Sequence, residues 1–125
     1  MNLKSFATLL IPLLFTHVAL GEGARTVKCD ETSVIMIYIK PQIGTRFNFP
    51  VKPDDVVFGG SGLFSVKYVK NDVHVSPLNA SASTNMTVYF LGRSCTFKLL
   101  ASQSRRDEIV LIKDSDSSKM KVKME

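Results

Sequence analysis

Between Thr84 and Leu100 the chain alternates with a period of two on both sides of a glycine. Val88 and Phe90 alternate with Thr87 and Tyr89, and Cys95, Phe97 and Leu99 alternate with Thr96 and Lys98. That period marks a strand with one buried face, and two such runs around Gly92-Arg93 predict a β-hairpin. Glycine at the first central position suits a type II′ turn. Cys95 shares a face with Phe97 and Leu99, so it is expected to point inward. A hairpin with one apolar face is not stable alone and needs a second layer from the rest of the chain.

The other segments supply strands rather than helices. Ser33 to Lys40 is almost continuously apolar and β-branched, which predicts a central strand covered on both faces, although hydrophobicity alone also admits a helix. Its length of eight residues before Pro41 favours the strand. Ile43-Gly44 turns the chain, and Thr45, Phe47 and Phe49 then share one face of a strand ended by Pro50 and Pro53. Asp54 to Phe58 is a short strand or turn, followed by Gly59-Gly60-Ser61-Gly62. That loop lacks the Lys-Ser/Thr ending of a phosphate-binding loop, and a flexible hairpin connection is expected. Leu63 to Lys70 alternates again, with a turn at Asn71-Asp72 and a partner strand at Val73 to Ser76. The small, polar stretch from Pro77 to Thr84 is suited to crossing from one sheet to another. Ile109 to Lys113 is a further strand, and Lys119 to Glu125 is either an edge strand blunted by lysines or a frayed tail. About eight or nine short strands separated by Gly, Pro, Asn and Asp turns predict an all-β single domain, an antiparallel β-sandwich.

The first 21 residues stand apart. Lys4 precedes an apolar run from Phe6 to Leu20, and Ala19-Leu20-Gly21 offers small residues for cleavage, the pattern of a secretory signal peptide. The domain is then 22–125, and the chain is expected to be exported. In that setting an even cysteine count predicts one disulfide, Cys29–Cys95, the alternative being two buried thiols. The formal charge of +5 falls to +4 without Lys4, and its positive residues are scattered singly. That argues for a solvated face and against nucleic acid as a partner.

Little in the sequence points to catalysis. His74 lies between Val73 and Val75 as an outward strand residue, and the carboxylates fall in expected turns, where Asp bonds its own backbone. No spacing suggests a metal site or a nucleophile–base pair, so no cofactor, metal or small-molecule substrate is expected. The sequons Asn79-Ala80-Ser81 and Asn85-Met86-Thr87 are discounted, the second because it lies where a strand begins.

Several residues in order carry a family resemblance: Gly44-Thr45, Phe49-Pro50, Val57-Phe58-Gly59, Phe64-Ser65-Val66, Val75-Ser76-Pro77, Thr84-Asn85 and Cys95-Thr96-Phe97-Lys98-Leu99. Together these resemble the N-terminal β-domain of the VirB9/TrbG/TraK family, components of bacterial type IV secretion and conjugation machines. Phe64 stands where the family usually has tryptophan, and Cys95 where an aromatic is commoner. The resemblance implies a non-enzymatic periplasmic structural subunit. Its partners would be other envelope proteins of the apparatus and copies of itself, with peripheral outer-membrane association. Gly44, Pro50, Gly59, Phe64, Pro77, Thr84, Asn85, Phe97 and Leu99 would be its structural motif residues. The competing expectation is a free exported binding domain for a carbohydrate or host protein, using the loops at Gly59 to Gly62 and Pro77 to Thr84.

Overall fold

The computed structural model describes residues 23–114. The expected leader at 1–21 and the alternating lysines from Lys119 onward lie outside the described residues. Nine strands form two sheets: β1 (Ala24–Cys29), β2 (Val34–Ile39), β3 (Thr45–Asn48), β4 (Asp55–Phe58), β5 (Phe64–Val69), β6 (Asp72–Pro77), β7 (Ser83–Phe90), β8 (Arg93–Ala101) and β9 (Ile109–Asp114). One sheet has the order β1-β9-β3-β6-β5 and the other β2-β8-β7-β4. The expected all-β sandwich is the observed fold.

The strand directions are mixed rather than antiparallel throughout. β1 with β9, β3 with β9, and β2 with β8 run parallel. The reason lies in the connections. Only β5–β6 and β7–β8 are hairpins within a sheet; every other connection carries the chain to the opposite sheet. Strands brought together from distant sequence are not tied to the antiparallel direction that a tight turn imposes.

Between the sheets the inward halves of the alternating strands meet. Phe47 and Phe49, from β3 and just beyond it, stack edge-on against Phe97 and Phe90 of the other sheet, with centroids 5.2 and 5.4 Å apart. Ile37, Ile39, Met86, Val88, Leu99, Val73, Val75 and Val110 complete a closed apolar centre. Cys29 and Cys95 form a disulfide with Cα atoms 5.4 Å apart, joining the end of β1 to β8 across the sandwich. Beside it Arg93 pairs with Asp114 at the end of β9, and the Ser94 N–H donates to Glu31 at 3.1 Å.

Four local expectations change. β2 is an edge strand bonded only to β8, and its outer face carries exposed Val34 and Met36. A β-branched run has the same composition at an edge as in a centre, so composition could not place it. The β7–β8 turn is Leu91-Gly92, both at positive φ (53° and 74°), the type I′ signature, rather than Gly92-Arg93. Moving a two-residue turn by one position shifts the pairing by two and leaves each side chain on its own face, so alternation does not discriminate the two registers. By the same displacement the β5–β6 turn is Lys70-Asn71, with Lys70 at positive φ. The glycine loop at 59–62 is no hairpin connection, since it joins β4 to β5 in the opposite sheet.

Candidate functional site

Two sheets have four outer strand edges, and each edge is a row of backbone donors and acceptors that must be covered or used. The β2 edge is covered. Tyr38 N–H donates to the Asp107 carboxylate at 2.9 Å, and Asp107 N–H donates to the Tyr38 carbonyl at 2.7 Å. Arg25 donates to the Met36 carbonyl at 2.8 Å, and the Arg105 guanidinium lies 4.1 Å from the centre of the Tyr38 ring. The β4 edge is only four residues long, follows Pro53, and has its Val56 N–H bonded by Asp55 Oδ1 at 2.9 Å.

β5 is built differently. Leu78 N–H donates to the Leu63 carbonyl at 2.9 Å. With the register Phe64↔Pro77, this makes the odd-numbered residues of β5 the bonded partners of β6. Phe64, Val66 and Tyr68 therefore turn their N–H and C=O groups to the open side. The strand is six residues long without proline, and β6 is its only strand partner among the described residues. β1 is also open on its outer side, but β5 differs in what lies beside it. A cleft of about 300 Å³ separates the end of β5 from the segment leading into β4, lined by Tyr68, Pro53 and Val56 and by the charged Lys52, Lys70, Asp54 and Asp55. Tyr68 points to the inner side of its sheet, yet 59% of it is exposed because nothing closes the sandwich there. A backbone edge beside a cleft is the arrangement used in strand addition: main-chain bonds hold the incoming segment, and the cleft takes one of its side chains.

Each of the residues that carry the resemblance lies in the described part of the structure. Gly44 sits at φ 78°, where a Cβ would lie 3.0 Å from the Val75 carbonyl oxygen. Pro50 is exposed two residues past the end of β3. Gly59 N–H donates to the Asn85 carbonyl, and Gly60 N–H donates to the buried Thr84 hydroxyl, both at 2.9 Å. Gly59, Thr84 and Asn85 thus come together where β4 leaves its sheet. Phe64 and Pro77 are direct register partners and both buried. Phe97 and Leu99 lie in the core.

Other residues were not singled out from sequence. Asp107 was expected to serve only a turn, whereas it also accepts Arg25 at 3.4 Å, and its carbonyl accepts the Thr45 hydroxyl. Asp114, expected in a polar turn, ends β9. Tyr68 alternates like any inward residue, and only the sheet order reveals that its neighbourhood is open. Asp30 does behave as expected: bonds from the Thr32 backbone and hydroxyl and from Ser33 hold its carboxyl below the ordinary value. Among the described residues no group of three or more His, Cys, Asp or Glu side chains is placed to hold a metal ion. The sequence matches no protein-family model, and no curated protein matches it.

Proposed function

We propose that this chain is a non-enzymatic assembly subunit of an envelope-spanning secretion or conjugation apparatus, acting in the periplasm through protein–protein contacts. The family resemblance supplies the setting. The open edge of β5, flanked by its cleft, is the observation that carries the assembly role. An unprotected edge strand is a liability unless another chain pairs with it. The outer face of the four-stranded sheet adds apolar surface, where Val34, Thr96, Thr87 and Val57 form one row across all four strands.

Tyr68→Pro is the informative variant. The Tyr68 N–H faces the open side, so proline there removes no bond to β6 while blocking an incoming strand. The variant is expected to keep the wild-type circular dichroism spectrum. It should lose the self-association or capture of envelope secretion components that the wild type shows on co-purification. A wild type that is strictly monomeric and captures no such component would sink the proposal, as would a folded variant with undiminished capture.

A further inference from the structure

On the outer face of the five-stranded sheet, three adjacent strands present basic residues in one row. Arg46 of β3 lies opposite His74 of β6, and His74 lies opposite Lys67 of β5. Arg46 and Lys67 stand on either side of His74, and two positive charges on one face favour nearby negative charge. The protein supplies only part of it. Asp72, two residues along β6, accepts Arg46 Nη1 at 3.1 Å. Glu108, the one carboxylate lining the cleft over this row, is held by Arg106 Nε at 2.9 Å. Lys67 has no carboxylate partner among the described residues.

The cleft itself measures about 340 Å³. Besides the basic row it is lined by Ser65 and Ser76, which are direct register partners and set two hydroxyls side by side. Gly44 borders it without a side chain. Cationic donors, paired hydroxyls and room beyond a bare ion match a phosphoryl group: the oxygens take N–H and O–H donors, and the lysine supplies the counter-charge.

We infer that this cleft binds a phosphoryl group through Lys67, His74, Ser65 and Ser76, with Arg46 held in place by Asp72. The group comes either from a soluble phosphate or from a lipid headgroup. The site does not depend on the assembly role, since Lys67→Gln leaves the β5 backbone edge intact.

The test begins with inorganic phosphate titrated at low ionic strength and followed by backbone amide shifts. Shifts are expected to cluster at Ser65, Lys67, His74 and Ser76. Lys67→Gln, an exposed substitution whose melting temperature should match the wild type, is expected to weaken binding roughly tenfold, the scale of a lost charged hydrogen bond. Lys98→Gln, on the outer face of the other sheet, is expected to leave it unchanged. A second arm compares vesicles of phosphatidylcholine with and without phosphatidic acid. Capture that needs both phosphatidic acid and Lys67 supports the site and assigns the headgroup. Phosphate binding without capture supports it and assigns the soluble source. Absence of both, or equal weakening by Lys98→Gln, overturns the inference.

Discussion

Asp72 and Asp107 are both carboxylates on short polar stretches, yet their surroundings give them different consequences. Burial pushes the Asp72 carboxyl up. Hydrogen bonds from Asn48 and Arg46, with the charges of Arg46 and His74, outweigh that and leave it below its ordinary 3.8. A carboxyl depressed in the folded state contributes stability that is complete above the unfolded value and is lost as pH falls through the folded one. Chemical denaturation of wild type and Asp72→Asn should therefore converge as pH is lowered below 3.8, with the wild type more stable at neutral pH. For Asp107 the issue is backbone exposure. Asp107→Ala leaves the Tyr38 N–H without its carboxylate acceptor, and a loss of about 1–3 kcal/mol is expected in urea unfolding. The sequence placed both residues in polar segments but could not show what they bond, because their partners are 24 to 82 residues away.

At the scale of the element, periodicity carried far. The inward set of the β7–β8 hairpin, Val88, Phe90, Cys95, Phe97 and Leu99, is buried as the alternation requires. Phe97 meets rings from both Phe47 and Phe49. Its truncation to alanine removes apolar contact and leaves a cavity, so a loss of about 3–5 kcal/mol is expected in equilibrium unfolding. What alternation could not convey was the turn position, since Leu91 at positive φ is held by its packing against the core rather than by intrinsic preference. Nor could it distinguish an edge strand from a central one. β2 is a continuous apolar run and β5 an alternating one, yet both are edges, one closed by Asp107 and Arg25 and the other facing outward. The candidate site is a property of strand order, and strand order is set by six crossings between sheets that no local pattern encodes.

For the whole molecule, the disulfide is the covalent counterpart of those crossings. It closes a span of 66 residues between opposite sheets. Reduction, or Cys29→Ser with Cys95→Ser, is expected to cost about 4 kcal/mol in the chain-entropy account and to lower the melting temperature accordingly. The even cysteine count made the pairing legible in advance, whereas the parallel seams beside it were not. One of those seams decides when the protein can fold. β9, the last described strand, is inserted between β1 and β3 rather than added at an edge. Until residues 109–114 have emerged, β1 has no neighbour and β3 lacks one side. The five-stranded layer therefore cannot be completed progressively from the first strand onward as the chain is synthesised. Contacts of such sequence separation make for slow closure, so the five-stranded layer assembles late and as a unit, around a cross-link that ties β1 to the other sheet.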